Sequence, residues 1–258
     1  MPTLANINTT DIPDAIRLGC RTMCGVFDAD DNERPFFESS LLPEPLLRWN
    51  SSHSESHVPG RHLNALLNAE AVLGLTIAEA AIEKHRRAAL YSYSGGIPWP
   101  LNRERKDGAP VRAIPHNIRE GFHALTALVT YRADKQARAI AEASIDWILS
   151  HWSPQHVHDE HCGWDEAAIR AAGALLVHSP NESFVLGLGR AIGPLVKYFR
   201  ATAYGPALEL ALVLADTATT HYYLPDGSFD PAKFSTHTHS TTCVMSGLAH
   251  LAELRGDA

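Results

Sequence analysis

Residues 116–150 read HNIREGFHALTALVTYRADKQARAIAEASIDWILS and contain two segments of helical periodicity separated by a short polar break. Apolar side chains recur every three to four residues in both segments, which is typical of amphipathic helices. The pattern predicts helices over 117–132 and 135–151, close enough in sequence to form a hairpin. The first helix is the more apolar, so we expect it to lie inside the fold while the second faces water.

Three further segments open in the same way, with polar or basic residues and a small residue ahead of an apolar helix. They begin at His57 (HVPGRHLNALL), Gly187 (GLGRAIGPLV) and His237 (HTHSTTCVMSGL), so that successive openings lie about 50 to 70 residues apart. Recurrence at this spacing is typical of repeat architectures. We therefore expect an inner layer of apolar helices that contains Leu66, Leu67, Leu125, Leu195 and Leu248.

Helical periodicity covers most of the chain, and alternating β-type runs are almost absent. The predicted helices are 11–24, 60–74, 76–93, 117–132, 135–151, 165–177, 185–202, 205–221 and 239–255. The sequence thus predicts an all-α chain made of repeated helical hairpins. We interpret residues 1–258 as a single domain, in which residues 1–56 precede the array.

Composition excludes several classes of protein. The chain has 258 residues, of which 45% are hydrophobic, and a net charge of −7. This apolar content excludes a disordered chain, and the acidic balance argues against a nucleic-acid partner. No run approaches the ~20 apolar residues of a membrane-spanning helix. Four scattered cysteines and an N-terminus without a signal-peptide pattern favour a reducing, cytoplasmic location.

Three segments resemble the six-hairpin glycosidases of the β-L-arabinofuranosidase type, whose fold is an (α/α) toroid. HTHSTTCVMSGLAHLAELRGD at 237–257 resembles an inner helix of that family. HVPGRHLNALLNAEAVLG at 57–74 and HNIREGFHALTALVTYRAD at 116–134 are similar to its first and second inner helices. The family carries its catalytic carboxylate and metal-binding cysteines beyond the segment equivalent to 237–257. The resemblance, which covers most of 40–258, therefore implies an incomplete toroid, and we expect its last helix to form a homodimer or an exposed apolar patch.

The polar openings predict a ligand site. If the inner helices are parallel, their N-termini converge, and the unpaired N–H groups there favour anionic or hydroxyl-rich ligands. The expected binding residues are His57, Arg61, His116, Arg119, Arg190 and His239. The resemblance places His237 where the family usually has a substrate-binding histidine, and Arg61 and Arg119 where it has two more. Because arginine is a fixed bidentate cation, we expect a small anionic saccharide such as a uronate.

The resemblance and the residues together suggest a glycoside hydrolase or a uronate lyase. Hydrolysis needs two carboxylates, and the candidates are Glu55, Glu120, Asp159 and Glu160. Glu120 is the foremost, since a helix N-terminus and Arg119 would hold it ionised as a base or nucleophile, and His237 is the second catalytic candidate. A lyase would use His116 or His237 as base, with Arg61 neutralising the carboxylate of the substrate. The alternatives are a non-catalytic or accessory binding protein on a truncated toroid, and a helical terpenoid-type enzyme.

We expect no metal and no other cofactor. Residues 151–162, HWSPQHVHDEHC, carry several possible zinc ligands from His156 to Cys162, but their spacing matches no standard zinc signature. We interpret them as a histidine-rich loop. Residues 28–33, DADDNE, resemble the aspartate-rich motif of class I terpene synthases without its second metal motif, and we interpret them as a solvated acidic loop. The tryptophans near helix ends, such as Trp99 and Trp164, suit packing under loops or stacking on sugars.

Overall fold

The computed structural model describes residues 11–40, 43–178, 183–229, 233 and 237–256, and these are mostly helical. The described helices are α1 Ile12–Met23, α2 Val58–Leu73, α3 Glu79–Ser92, α4 Ile118–Arg132, α5 Lys135–His151, α6 Glu166–Ala171, α7 Ile192–Thr202, α8 Gly205–His221 and α9 Thr238–Arg255. The described strands are β1 Phe27–Asp28, β2 Arg34–Pro35, β3 Glu38–Ser40, β4 Leu46–Arg48, β5 Leu101–Arg103, β6 Pro110–Ala113 and β7 Leu175–Leu176.

Helical hairpins lie side by side in this chain. Four helices form one layer, in which α2 lies beside α4, α4 beside α7, and α7 beside α9. A second helix packs on three of them: α3 on α2, α5 on α4 and α8 on α7. We call α2, α4, α7 and α9 the inner helices, and α3, α5 and α8 the outer helices. The segment before the array contributes α1, which packs against α2.

The first two inner helices run in the same direction. Near their N-terminal ends, a Cβ at Gly60 would lie only 2.0 Å from the carbonyl oxygen of Glu120, so the two backbones approach at a distance that glycine alone permits. Towards their C-terminal ends, the Tyr131 hydroxyl donates a hydrogen bond of 2.9 Å to Asn68 Oδ1. The two helices are therefore in contact along their whole length.

The third and fourth inner helices continue the parallel arrangement. Arg190, just before α7, bonds to Glu120 on the first turn of α4 at 2.8 Å. Gly247 of α9 packs on the first turn of α7, and further along Arg200 of α7 bonds to Glu253 of α9 at 3.0 Å. The inner-helix N-termini consequently meet at one end of the layer.

Two of the sequence-based expectations need correction. The chain is not purely α-helical, since β1–β2 and β3–β4 form antiparallel hairpins and β5, β6 and β7 form a three-stranded sheet. The helix expected over 165–177 ends at Ala171, and Gly173, with a φ of 81°, turns the chain into β7, which is parallel to β6. Strands this short leave no visible alternation in a sequence.

The remaining helices match their predicted ranges closely. α7 is the exception, because it begins at Ile192 after a 3₁₀ turn over 188–191, later than the predicted 185. In the core, Leu66, Leu67, Leu125 and Leu195 are fully buried and Leu248 is partly buried.

Trp99 and Trp164 are packed in the core. Trp99 is fully buried edge-on to Trp164, with ring centroids 4.2 Å apart, which supports packing under the loops.

At α9, Leu224 and Met245 are about half exposed in a groove of about 650 Å³. The homodimer expected at this helix stays a prediction. Within the described ranges, no helix is both long and apolar enough to cross a membrane.

Every inner helix ends on a residue in the left-handed region. The four residues are Gly74 (φ 62°), Ala133 (φ 50°), Ala203 (φ 57°) and Gly256 (φ 72°). Glycine adopts this conformation without the steric cost that a Cβ brings, and it is the usual residue at such a helix end. Two of the four turns are therefore made by alanine against its preference.

We expect Ala133→Gly and Ala203→Gly each to raise the free energy of unfolding by about 0.5–1 kcal/mol. Relief of the left-handed alanine, worth about 1–2 kcal/mol, outweighs the greater freedom of glycine in the unfolded chain. Urea titration measures the change. The control is Ala143→Gly on the exposed side of α5, where the same replacement should cost about 1 kcal/mol. A loss of stability at all three positions would contradict the prediction.

Candidate functional site

Glu120 lies at the meeting point of the inner-helix N-termini, fully buried on the first turn of α4. Its Oε1 accepts hydrogen bonds from Arg190 Nη2 at 2.8 Å and from Arg119 Nη1 at 2.7 Å. Arg61 Nε lies 3.7 Å from the same oxygen, and His57 Nδ1 lies 3.7 Å from Oε2. Burial alone would raise the pKa of the Glu120 carboxyl, but the adjacent charges, led by Arg190, outweigh it and hold this pKa well below its usual range.

The arginines around Glu120 differ in exposure. The side chain of Arg190 is fully buried, that of Arg119 is 20% exposed, and that of Arg61 is 45% exposed. Three guanidinium groups face one carboxylate, so 3 − 1 leaves a surplus of two positive charges. The surplus lies towards the two arginines that reach solvent. We call these three arginines and Glu120 the arginine cluster.

Three histidine rings lie together beside the arginine cluster. His53, His57 and His116 each have a ring nitrogen within 4.8 Å of the other two. The rings of His57 and His116 are stacked, with centroids 5.5 Å apart, and His53 lies edge-on to His57 at 5.0 Å. Burial lowers the pKa of His57 to about 4 and that of His116 to about 3, and it also lowers the pKa of His53. These imidazoles are therefore neutral at pH 7. We call them the histidine triad.

The hydrogen bonds of the histidine triad determine which nitrogen carries the proton. Each Nδ1 faces a carbonyl-type oxygen: His53 to Asn50 Oδ1 at 3.1 Å, His57 to Asn117 Oδ1 at 3.0 Å, and His116 to Leu186 O at 2.9 Å. The side-chain amides of Asn50 and Asn117 are each oriented by a second bond. Asn117 Nδ2 donates to the carbonyl of Ser52, and Asn50 Oδ1 accepts from the backbone N–H of Ser52. Since these oxygens only accept, each neutral ring has its proton on Nδ1 and a lone pair on Nε2.

Helix α9 adds two more histidines to the site. The Nδ1 of His237 caps α9 by accepting a hydrogen bond from the N–H of Ser240 at 3.1 Å, and its ring lies edge-on to His116 at 6.0 Å. His239 Nε2 accepts a hydrogen bond of 3.1 Å from Arg61 Nη2. The structure therefore brings together all the residues expected from the sequence: His57, Arg61, His116, Arg119, Glu120, Arg190, His237 and His239.

A cavity of about 370 Å³ opens beside the histidine triad. Its wall contains the imidazoles of His53, His116 and His237 and the apolar side chains of Ile114 and Val177. His53 was not among the residues expected from the sequence. The signal was present, because His53 and His57 are four residues apart, the spacing at which two side chains lie on one side of a helical turn.

The turn over 50–57 that carries two of the triad histidines is held in place by β5. The fully buried side-chain amide of Asn102 donates to the carbonyl of Ser52 at 2.9 Å and to Ser56 Oγ at 2.6 Å. The next residue, Arg103, donates from Nε to Glu55 Oε1 at 2.7 Å. Glu55 is therefore engaged in positioning this turn, although the sequence had offered it as a possible catalytic carboxylate.

The other two candidate carboxylates lie elsewhere. Asp159 and Glu160 are exposed on the loop after α5, and their described contacts are with histidines of that loop. The histidines there pair with separate carboxylates, His156 with Asp159 at 2.8 Å and His161 with Glu166 at 2.9 Å. These pairings fit the interpretation of a histidine-rich loop, which borders its own cavity of about 310 Å³.

The acidic segment 28–33 is not the solvated loop that we expected. Asp28 and Asp31 are buried. Asp28 pairs with Lys106 at 2.6 Å, and Asp31 pairs with Arg34 at 2.6 Å and with Arg103. Buried carboxylates are stable when paired in this way, which the sequence spacing did not reveal. The ion pairs with Lys106, Arg34 and Arg103 therefore explain why Asp28 and Asp31 are buried.

The site combines cations that reach solvent, a buried carboxylate and neutral imidazoles at the edge of a cavity. It can therefore bind an anion, accept a proton on an imidazole or coordinate a metal ion. Comparisons with models of protein families, with curated proteins and with solved structures find no match to this chain.

Proposed function

We propose that this chain binds a small carboxylate-bearing saccharide, of the uronate class, at the N-terminal ends of its inner helices. The observation that carries the proposal is the arginine cluster, with its surplus of two positive charges around one buried carboxylate. Helix N-termini add partial positive charge at the same place. A carboxylate ligand would balance this charge, and its hydroxyl groups would find imidazole partners.

Arg61 is the residue best placed to hold the ligand. Its side chain is nearly half exposed, and its described partners are His239, through one Nη2 bond, and Glu120 at 3.7 Å. A guanidinium group presents five N–H donors in a planar fork that matches a carboxylate. Arg190, in contrast, is buried and bonded to Glu120 and to the carbonyl of His116, so its role is to position the carboxylate of Glu120.

The architecture proposed to support this site is an array of hairpins of the (α/α)-toroid kind, as the resemblance implies. Several features support it: the inner helices are parallel, and one outer helix packs on each of the first three inner helices. Each inner helix also ends in the same left-handed turn. These features are those of a repeated hairpin unit, although no closed ring is needed for the binding proposed.

Uronate lyase chemistry is the enzymatic activity that the geometry favours over hydrolysis. Glu120 is buried with its Oε1 bonded to arginines, and no second candidate carboxylate lies beside it among the described residues. A lyase instead needs a base next to a cation that neutralises the carboxylate of the substrate. We propose Arg61 for the cation, and for the base a histidine of the cavity wall whose Nε2 lone pair is free. Non-catalytic binding is the second candidate, and it predicts binding without an unsaturated product.

We expect Arg61→Ala to weaken the binding of glucuronate or galacturonate by tenfold or more. A charge-assisted hydrogen bond contributes about 1.5–3 kcal/mol, and each 1.4 kcal/mol is a factor of about ten in affinity. Calorimetric titration against these acids and against glucose and galactose measures the effect. Because Arg61 is partly exposed, its loss should change the thermal midpoint little.

The matched control is Arg138→Ala, which removes the same charge from an exposed i,i+4 pair with Glu142 on the outer helix α5. This variant should bind the acidic sugars as the parent chain does. Equal binding by the parent and Arg61→Ala would overturn the proposal, as would a parent chain that prefers the neutral sugars. Incubation with a 4-linked oligogalacturonate, in which the glycosidic oxygen on C4 is the leaving group of the elimination, then distinguishes a lyase from a binding protein by the ultraviolet absorbance of the unsaturated product.

A further inference from the structure

We propose that the histidine triad, His53, His57 and His116, forms a binding site for one divalent transition-metal ion of the zinc class. The proposal departs from the expectation of no metal, and it does not depend on the saccharide ligand. One ring nitrogen of each histidine already lies within 4.8 Å of the others. In tetrahedral zinc sites, with Zn–N distances of about 2.0–2.1 Å, two ligand nitrogens are roughly 3.3 Å apart. To close the site, rotation of the side chains would have to bring the ligand nitrogens closer by up to about 1.5 Å.

The second argument is the orientation of the rings. Metal-bound histidines almost always donate their other ring N–H to a carbonyl or carboxylate oxygen, which fixes the ring and its tautomer. All three Nδ1 atoms here face such an oxygen, from Asn50, Asn117 and the main chain of Leu186. The bonds leave the three Nε2 lone pairs as the ligand atoms. Stacking of aromatic rings alone would not require every ring to be anchored through the same nitrogen.

The third argument is the carboxylate behind the triad. His57 Nδ1 lies 3.7 Å from Glu120 Oε2, and this buried oxygen has no hydrogen-bond partner among the described groups. The N–H of His57 is donated to Asn117, and the carboxylate places a negative charge beside this imidazole, as carboxylates do behind many metal-bound histidines. A cation on the triad would increase the acidity of that N–H and strengthen its attraction to Oε2.

The fourth argument is the open coordination position. Three protein ligands with a fourth position left to water or substrate are typical of catalytic zinc sites, whereas structural sites are closed by four protein ligands. The rings of His53 and His116 line the 370 Å³ cavity, which is large enough for a small molecule at the fourth position. An anion is the favoured occupant of this fourth position, because an anion would offset the positive charges of both the metal ion and the arginine cluster.

The experiment uses the full chain, freed of metal with a chelator and titrated with Co²⁺, then with Zn²⁺ in competition. We expect one equivalent of Co²⁺ to give the visible absorption of a nitrogen-ligated, four-coordinate ion, and Zn²⁺ to abolish it. His53→Ala removes a metal ligand and should weaken the affinity for Co²⁺ by about 100-fold or more. Loss of a residue that only hydrogen-bonds to a ligand costs about 10–100-fold, and loss of the ligand itself should cost at least the upper end of that range. Asn50→Ala, which keeps all three ligands but removes the Nδ1 partner of His53, should weaken it by about 10–100-fold.

The matched control is His156→Ala, which removes an exposed histidine from the loop after α5. It should bind Co²⁺ as the parent chain does. Because His53 is only partly buried and Asn50 lies in a turn, circular dichroism should show both variants folded, and either one suffices for the test. The proposal is overturned if the parent chain takes up no stoichiometric metal. It is also overturned if the folded His53 and Asn50 variants bind as tightly as the parent, or if binding is lost in His156→Ala.

Discussion

Glu120→Gln should lower the free energy of unfolding by about 3–5 kcal/mol, the loss found when one partner of a buried ion pair is removed. The fully buried Arg190 would then face a neutral amide, and Arg119 and Arg61 would add repulsion that the carboxylate now balances. The side chain keeps its size, so the loss would come from charge and not from packing. Urea unfolding at pH 7, followed by circular dichroism, gives the difference.

Glu142→Gln provides the comparison, because it removes a carboxylate from an exposed pair with Arg138 at 2.8 Å. Exposed i,i+4 pairs are worth about 0.3–0.5 kcal/mol. If Glu120→Gln cost no more than this control, the carboxylate would not be the counter-ion that stabilises the arginines, and the electrostatic description of the site would be wrong.

Acidification from pH 7 to pH 5 should lower the free energy of unfolding, and His85 and His123 should each contribute about 2 kcal/mol to that loss, in addition to the histidine triad. Burial lowers the pKa of His85 to about 4, and burial with Arg119 nearby lowers that of His123 to about 3, against 6.5 for an unfolded histidine. The unfolded chain therefore takes up protons below pH 6.5 while the folded chain does not. Their stabilisation is complete above about pH 6.5 and is lost as the pH falls towards 4, at about 2 kcal/mol per imidazole by pH 5.

Urea titrations at pH 7, 6 and 5 measure how the free energy of unfolding changes with pH. The variant His85→Gln shows how much of that change comes from His85. His85 Nε2 donates to the carbonyl of Met23 at 2.9 Å, a bond that the amide of glutamine can replace without taking up a proton. Between pH 7 and pH 5 the variant should lose about 2 kcal/mol less stability than the parent chain, and the contribution of the other buried histidines should remain. An unchanged slope would mean that other groups cause the acid sensitivity.

Much of the fold could be predicted because long amphipathic helices leave a strong periodic signal. α4 and α5 lie within a residue or two of their predicted ranges. The sequence failed where tertiary contacts decide the backbone. Residues 175–176 form a strand because β6 offers a partner there, and nothing in the local pattern distinguishes them from the end of a helix.

The part of the site that could be predicted is the part built from the recurring openings of the inner helices. Residues at the openings of the inner helices converge because those helices are parallel, and one assumption about direction was enough to place them. His53 was missed because it lies in a turn outside any opening. The burial of Glu120 beneath three arginines depends on contacts from three different helical segments, which spacing along the chain cannot show.

The bond between Arg61 and His239 has a consequence for cooperativity. It joins the first and last inner helices across 178 residues of sequence, whereas the extensive contacts of the inner layer are between successive helices. Arrays of that kind can lose their terminal units separately, because each unit is stabilised only by its neighbour. A ligand held by both residues would link the two ends of the array, so that opening either end would also release the ligand. Binding would in this way make the hairpins unfold together.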